Sequence, residues 1–192
     1  AALKHLSYAT LLEALAERFH ASPNLLKRLN PSARFVAGEA IQVPNVLAAP
    51  EPTSGEGVSI AVSKRTSALT LIDRTGAVIY HVPVTTGSRH DPLPIGVWKV
   101  TAIVRNPVFN YNPDLFWDAD PAHAKAKLPP GPNGPVGVVW IDLSKPHYGL
   151  HGTPEPAAVG HTSSHGCVRL TNWDATAVAA LIAKGAKVTF TE

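Results

Sequence analysis

Hydrophobic and polar positions alternate through most of the chain beyond residue 57, and this pattern predicts β-strands. Val58, Ile60 and Val62 alternate with small or polar residues in VSIAVS, which is typical of a strand with one buried face. Two such runs within 69–84 flank a turn over 73–76, so we expect a hairpin there. Further stretches with strand character are 97–104, 136–143 and 186–190. We therefore predict a mainly β fold for this region, a sandwich or a barrel.

One helix is predicted late in the β region. The sequence TNWD, which begins at Thr171, resembles a capping box, and an alanine-rich run follows it as far as Gly185. Glycine is common just beyond the C-terminus of a helix. We therefore expect the helix to end at this glycine, ahead of the last strand.

The first part of the chain has a helical pattern instead. Leucine and alanine recur at helical spacing after Thr10, and Ser22 followed by a proline is typical of a second helix start. Ile41 and Val43 lie on one side of a short extended segment. We expect a small α/β domain over 1–46.

A segment rich in proline, glycine, serine and alanine separates these two regions. Residues 47–57, LAAPEPTSGEG, contain few side chains that a core could bury, which is typical of a linker. We therefore place a domain boundary in this segment and expect a second domain over 58–192.

A long proline-rich segment interrupts the β pattern at 105–135. It contains seven prolines and little periodicity, and an irregular stretch of this length within a compact domain is commonly a functional or a disordered loop. Its aromatic residues, which favour a packed loop, are Phe109, Tyr111, Phe116 and Trp117. We expect this segment to form a flap over the active site.

Composition narrows the class of protein. The chain has 192 residues, 45% hydrophobic and 16% charged, with a formal net charge of +3, a balance typical of a globular protein. No apolar run approaches the roughly 18 residues of a membrane span, so we do not expect an integral membrane protein. Lysine and arginine form no cluster interleaved with aromatic residues, which argues against nucleic-acid binding. The first residues lack the apolar stretch of a signal peptide.

A single cysteine lies in the stretch YGLHGTPEPAAVGHTSSHGCVRL, residues 148–170. Attack on an amide carbonyl by a thiol needs a base for the thiol proton and donors for the oxyanion. Cys167 is the candidate nucleophile, and we expect a neighbouring histidine or backbone dipoles to lower the pKa of its thiol. Gly166 allows a tight turn whose N–H groups could face the oxyanion.

Two histidines are candidates for the base. His165 is two residues from Cys167, whereas His151 belongs to a separate strand and is followed by Gly152, whose carbonyl could hold one ring nitrogen. A base is best oriented by a third group. We therefore predict His151 as the base, the carbonyl of Gly152 as its orienting group and His165 as a supporting residue.

Two other interpretations of these residues are open. A lone cysteine often fills an apolar core, although Ser164, His165 and Arg169 are unusual neighbours for a core position. A zinc site is the second alternative, because five candidate ligands are close in sequence: His147, His151, His161, His165 and Cys167. Prolines and glycines between them break the helices on which such pairs commonly lie, so we expect no bound metal.

The same stretch resembles the signature of the L,D-transpeptidases of the YkuD or ErfK type. In that family an upstream His-Gly precedes a Ser-His-Gly-Cys-(Val/Ile)-Arg block, and HGTPEPAAVGHTSSHGCVRLTNWD contains both. The resemblance extends over 58–190 and includes TGSRHDPLPIGVWKV. It implies the β-sandwich or barrel catalytic domain of that family, with one late helix.

The resemblance also implies a reaction on peptidoglycan. Cys167 would attack the bond between diaminopimelate and the terminal D-alanine of a stem tetrapeptide. The resulting thioester would pass its acyl group to an amine of another stem, giving a 3-3 cross-link, or to a lysine of a lipoprotein. Water as the acceptor would give carboxypeptidase activity.

Roles follow residue by residue from the resemblance. His151 matches the base and Gly152 the third member of the catalytic group. The loop around the nucleophile corresponds to Ser164, His165 and Gly166. Arg169 would bind a substrate carboxylate through its planar guanidinium, with a structural pairing as the alternative, and Tyr148 would also bind substrate. The resemblance implies no cofactor.

The N-terminal domain resembles a LysM glycan-binding module in LAERFHASPNLLKRLNP and GEAIQVPN. The opening strand of that module is not visible in the sequence, so either this strand is degenerate or the module has lost glycan binding and only docks on the catalytic domain. The resemblance implies the periplasm or cell envelope of a bacterium, with an export signal removed from this chain. A cysteine peptidase of the cell wall and a non-catalytic wall-binding protein are the alternative functions.

Overall fold

Eight strands form one sheet at the centre of the computed structural model, which describes residues 3–46 and 54–192. The described residues form ten strands in all, of which two, β5 and β6, lie outside this sheet. In chain order they are β1 Ser59–Ser63, β2 Ala68–Ile72, β3 Val78–Pro83, β4 Gly96–Arg105, β5 Phe109–Tyr111, β6 Ala126–Leu128, β7 Val139–Leu143, β8 Gly149–His151, β9 Val168–Arg169 and β10 Lys187–Thr191. The helices are α1 Leu11–Arg18, α2 Pro23–Leu29 and α3 Asn172–Leu181. The order across the sheet is β3-β2-β1-β10-β4-β7-β8-β9, and β5 pairs with β6 separately.

The sheet curls until its two edges come together. β1 pairs with β10 and β8 with β9 in parallel, whereas the other neighbours are antiparallel. Beyond β3, the backbone N–H and C=O of Thr85 bond the C=O and N–H of Arg169 at 3.0 and 2.9 Å. Gly87 forms a further bridge with Ser164. The segment that follows one edge strand therefore closes the sheet beside the stretch that contains Cys167.

The inner face of the curled sheet packs with α3 to form the core. Successive strand side chains point to opposite faces, and in β1 the alternate residues Ile60 and Val62 are buried. In α3, Ala175 and Val178 are fully buried against the sheet, and the small alanines allow a close approach. The predicted mainly β architecture with one late helix is confirmed.

The predicted hairpin is confirmed at its turn. The carboxylate of Asp73 accepts hydrogen bonds from the backbone N–H groups of Thr75 and Ala77 at 2.8 and 3.0 Å. Gly76 has a φ of +89°, a conformation that glycine adopts without steric cost. β2 and β3 are therefore joined by the turn that the sequence indicates.

The late helix ends earlier than predicted. α3 begins after the capping residue Thr171, whose Oγ1 accepts from the N–H of Asp174 at 3.0 Å, but its last residue is Leu181. Beyond it the backbone of Val100 bonds Gly185 and the residue after it at 2.8 and 3.0 Å. The chain leaves the helix early because it must reach this position beside β4 before β10 begins.

The two N-terminal helices are confirmed, but residues 3–46 contain no strand, so the expected α/β composition is not found there. The segment around Gln42 is held by hydrogen bonds to a side chain and not by pairing with another strand. The amide of Asn30 donates to the carbonyl of Gln42 at 2.7 Å and accepts from its N–H at 2.6 Å. Across the described ranges no helix is long and apolar enough to cross a membrane.

The expected linker, 47–57, falls only partly within the described structure, because residues 47–53 lie outside it. Gly55, near its end, is buried, and a Cβ at this position would collide with the backbone of Ile182 just beyond α3. The end of the linker therefore contacts the β domain at Gly55.

Tyr80 and the start of α3 give a test of the packing between sheet and helix. The Tyr80 hydroxyl donates to the carboxylate of Asp174 at 2.9 Å, and Asp174 is 1% exposed. Loss of a partner from a buried charged group costs about 1–3 kcal/mol. We expect Tyr80→Phe to lower the free energy of unfolding by this amount in urea denaturation. Tyr111→Phe is the control, because its hydroxyl bonds His123 at an exposed position, and equal effects of the two substitutions would contradict the assignment.

Candidate active site

A cavity of about 950 Å³ lies beside β8 and β9. Its walls include the candidate residues Tyr148, His151, Ser164, His165, Cys167 and Arg169. The opposite wall comes from the predicted flap, through the β5–β6 hairpin and Phe116. The flap is thus more regular than its sequence indicates, and it encloses the site as expected.

Strand register brings the candidate residues from two parts of the chain together. His151 at the end of β8 pairs with Arg169 in β9, and Leu150 pairs with Val168. Cys167 directly precedes β9 and is two residues from Arg169, so the two side chains share one face of the strand. The imidazole, the thiol and the guanidinium therefore line the same cavity.

The imidazole of His151 is fixed by burial, a hydrogen bond and a ring contact. Its Nδ1 lies 2.6 Å from the carbonyl oxygen of Gly152, and the ring stacks on Trp140 with centroids 5.4 Å apart. A carbonyl oxygen only accepts, so Nδ1 carries the hydrogen and Nε2 has a free lone pair. Burial, aided by the positive charge of Arg169, lowers the pKa of His151 to about 4, whereas the Gly152 carbonyl acts in the opposite direction. The ring is therefore a neutral base at neutral pH.

The pKa of the Cys167 thiol lies above its ordinary value, contrary to the expectation of a lowered pKa. Burial raises its pKa, whereas a hydrogen bond from the backbone of Gly149 and the charge of Arg169 act in the opposite direction. Sγ lies 3.7 Å from the carbonyl oxygen of His147. The thiol and the imidazole line the same cavity, and a neutral thiol needs a base to remove its proton during attack.

The loop before Cys167 is held on both sides. Ser164 is 3% exposed, and its Oγ donates to the carbonyl of Cys167 at 2.5 Å. Its backbone bonds Thr86 and Ser88 at 3.0 and 3.1 Å. Gly166 has a φ of +99°, and a Cβ there would lie 2.6 Å from Cε1 of Tyr148. The Tyr148 ring therefore packs directly on the turn that presents the thiol.

His165 contacts the flap. Its Nε2 lies 2.7 Å from Oδ1 of Asp118, and its ring meets the Phe116 ring edge-on with centroids 5.2 Å apart. Asp118 was not predicted from the sequence, because a single aspartate in an irregular segment gives no signal of a partner 47 positions away. His165 thus links the loop around the thiol to the flap.

The zinc alternative finds no support in the described ranges of the chain, where no group of three or more histidine, cysteine, aspartate or glutamate side chains is placed to hold a metal. The imidazole of His165 contacts a carboxylate and that of His151 a backbone carbonyl. The buried-filler alternative for Cys167 is contradicted, because the residue lines the cavity and does not belong to the hydrophobic core.

Comparison with known sequences identifies the domain. A sequence profile of the L,D-transpeptidase catalytic domain, YkuD, matches residues 57–190. The chain belongs to this family. The Bacillus subtilis protein YkuD, named as an L,D-transpeptidase, is 30% identical over 181 residues, which are 93% of this chain and 92% of that protein. Salmonella typhimurium ErfK/SrfK, also named as an L,D-transpeptidase, is 27% identical over 85% of this chain and 53% of its own length.

Solved structures share the fold of this L,D-transpeptidase. An L,D-transpeptidase from Mycobacterium smegmatis superposes with a TM-score of 0.57 at 18% identity, over 71% of this chain and 59% of its own. L,D-transpeptidase 3 from Mycobacterium tuberculosis, in complex with a faropenem-derived adduct, gives a TM-score of 0.57 at 19% identity, over 71% and 60% of the two chains. The chain thus spans about three-fifths of these structures.

Substitution of Gly166 tests the packing of the nucleophile loop. We expect Gly166→Ala to lower the rate of transpeptidation by about 100-fold, because displacement of a reacting group by about 1 Å has an effect of this size. Gly160→Ala is the matched control, since Gly160 also has a positive φ, +80°, but a Cβ there would meet nothing closer than 3.8 Å. A similar loss in both variants would show that backbone strain, and not contact with Tyr148, is the cause.

The depressed pKa of His151 also predicts how stability depends on pH. The ordinary pKa is 6.5 and the folded value about 4, so between these values the unfolded chain binds a proton that the native protein does not. The resulting stabilisation is fully present above pH 6.5 and falls as the pH decreases to 4, by at most about 1.4 kcal/mol per pH unit. Urea unfolding should show a shallower pH dependence for His151→Gln than for the wild type, and equal slopes would contradict the assignment.

Proposed function

We propose that this L,D-transpeptidase cleaves the bond between diaminopimelate and D-alanine in a peptidoglycan stem tetrapeptide and transfers the acyl group to an amine. Family membership supports the activity on peptidoglycan. The observation that most supports acyl transfer at this site is the hydrogen bond between His151 Nδ1 and the Gly152 carbonyl, because it leaves Nε2 free to accept the proton of Cys167.

The first half of the reaction follows from these roles. As Sγ of Cys167 attacks the carbonyl carbon of diaminopimelate, His151 Nε2 takes the thiol proton and becomes an imidazolium. The tetrahedral intermediate then collapses, the C–N bond breaks, and the imidazolium donates its proton to the departing amine of D-alanine. The products are a thioester on Cys167, a neutral His151 and free D-alanine.

The second half reverses the proton movements. An acceptor amine attacks the thioester carbonyl, His151 removes a proton from the attacking nitrogen, and the C–S bond breaks. The proton then returns to Cys167. A side-chain amine of another stem gives a 3-3 cross-link, whereas a lipoprotein lysine is the alternative amine and water would give a carboxypeptidase.

We assign the remaining candidate residues to binding of the substrate and stabilisation of the oxyanion. We assign the backbone N–H groups that stabilise the oxyanion to the turn at Gly166 and Cys167, which Ser164 fixes through its hydrogen bond to the Cys167 carbonyl. Arg169 and Tyr148 line the cavity, and we assign to them the binding of substrate, with the guanidinium holding a carboxylate. His165 supports the loop through its contact with the flap.

The domain assignment forms part of the proposal. We propose a LysM-like module over 1–46, a linker over 47–57 and the catalytic domain over 58–192, supported by the two helices and by the profile match. The contacts of the module with the catalytic domain favour docking over an independent glycan-binding role. The substrate places the protein in the cell envelope, and we propose the periplasm.

Product analysis tests this function. The wild type, incubated with stem tetrapeptide and examined by mass spectrometry, should release D-alanine and form dimers, and Cys167→Ala should do neither. A carbapenem should add its mass to Cys167 in the wild type and should not react with Cys167→Ala. Tripeptide without dimers would show that water is the acceptor, whereas unchanged tetrapeptide and no adduct would contradict the proposal.

A further inference from the structure

A series of polar contacts connects helix α1 of the N-terminal module to the Gly152 peptide that bonds His151. We infer that Glu17 in α1, acting through Asn172 in α3, is a positioning residue that holds the Gly152 peptide in the orientation that His151 requires. The inference rests on the proposed function, since it assigns the N-terminal module a part in the same reaction.

Asn172 is the central link. It is 4% exposed, and all of its polar atoms are bonded. Nδ2 donates to both carboxylate oxygens of Glu17 at 3.1 and 3.0 Å and to the carbonyl of Pro132 at 3.1 Å. Oδ1 accepts from the N–H of Val138 at 3.1 Å. A buried amide with this set of partners has a single orientation.

The oxygen of this amide lies directly against the catalytic backbone. A Cβ added to Gly152 or to Gly137 would collide with Oδ1 of Asn172, so both glycines are needed for the close approach. The N–H of Gly152 donates to the carbonyl of Val139 at 3.2 Å. The Gly152 peptide is therefore held between β7 and the side chain of Asn172 while its carbonyl bonds His151.

Glu17 helps to set which end of the amide faces Gly152, together with the Pro132 carbonyl and the Val138 N–H. A carboxylate only accepts hydrogen bonds, so it selects Nδ2 and turns Oδ1 of Asn172 towards Gly152. Glu17 is half-buried, and the Tyr8 hydroxyl donates to it at 3.1 Å. Burial raises the pKa of Glu17, whereas the bonds from Asn172 and Tyr8 oppose this change. The N-terminal module thus supplies two of the acceptor oxygens that hold this amide.

A second contact of the module supports the same conclusion independently. The N–H of Leu6 donates to the carbonyl of Pro130 at 2.8 Å, and its carbonyl accepts from Asn133 at 3.0 Å. A Cβ on Gly131 would collide with the Leu6 backbone. The loop held in this way continues to Pro135 and the following valine, which line the active-site cavity. Two separate parts of the module therefore support the walls of the site.

The test compares three substitutions in the full chain. Glu17→Ala removes the acceptor, Glu17→Gln retains one acceptor oxygen, and Lys27→Ala is the control on the exposed face of α2. We expect Glu17→Ala to lower kcat for tetrapeptide by about 10- to 100-fold, the range that a small displacement of a reacting group produces. KM should stay within about twofold of the wild-type value, since His151 acts in the chemical step and not in binding.

Recovery of activity in Glu17→Gln would show that Glu17 positions the Gly152 peptide and is not needed merely for folding. Glu17→Gln and Lys27→Ala should retain kcat within about twofold of the wild type, and thermal unfolding of each variant shows that it is folded. If Glu17→Ala keeps wild-type kcat, the inference is overturned. It is also overturned if kcat falls equally in Glu17→Gln. Asn172→Asp, which loses both donors of Nδ2 but keeps Oδ1, should match Glu17→Ala, and wild-type kcat in this variant would likewise overturn the inference.

The outcome is distinguishable from failure of the proposed function. The wild type must first release D-alanine from tetrapeptide and Cys167→Ala must not, which establishes the reaction without reference to Glu17. If that reaction occurs and Glu17→Ala leaves it unchanged, only the role of the N-terminal module is wrong.

Discussion

The hydrogen bond between His151 Nδ1 and the Gly152 carbonyl is the interaction on which the site depends. It fixes the tautomer of a buried ring and directs the free lone pair of Nε2 away from the backbone. Burial keeps the ring uncharged at neutral pH, so His151 can accept a proton from a thiol that burial also keeps neutral. The proposed reaction therefore starts from two uncharged groups, and charge develops only as the thiol attacks.

The curled sheet brings together the strands that carry the candidate residues of the site. β8 and β9 come from segments separated by a long connection, yet their parallel register places His151 opposite Arg169 and beside the approach to Cys167. The closure between Thr85 and Arg169 anchors the same strand from the other edge of the sheet. Because backbone pairing on both sides holds β9, the turn that presents the thiol directly before this strand is anchored at its end.

Local patterns were enough to predict most of the fold and the residues that line the candidate site. The turn at Asp73 and the helix starts at Ser22 and Thr171 depend on neighbouring residues alone, so the sequence indicates them. The motif around Cys167 indicated the chemistry, and strand register then determined the geometry.

Contacts between distant residues could not be predicted. Asn172 and Glu17 are 155 positions apart, and neither has a local pattern that reveals its partner. The same holds for Asp118 and the histidine that it contacts. The pKa of the Cys167 thiol was predicted in the wrong direction, because burial depends on how the flap and the sheet enclose the sulfur and the sequence does not show this.

The most direct test of this account is the titration of the Cys167 thiolate by its ultraviolet absorbance, in the wild type and in His151→Gln. The account predicts a protonated thiol at neutral pH in both proteins, with thiolate absorbance developing only in the alkaline range. Thiolate absorbance in the wild type at neutral pH that disappears in His151→Gln would show a thiolate–imidazolium pair before substrate binds. That result would contradict the neutral pair on which the mechanism is built.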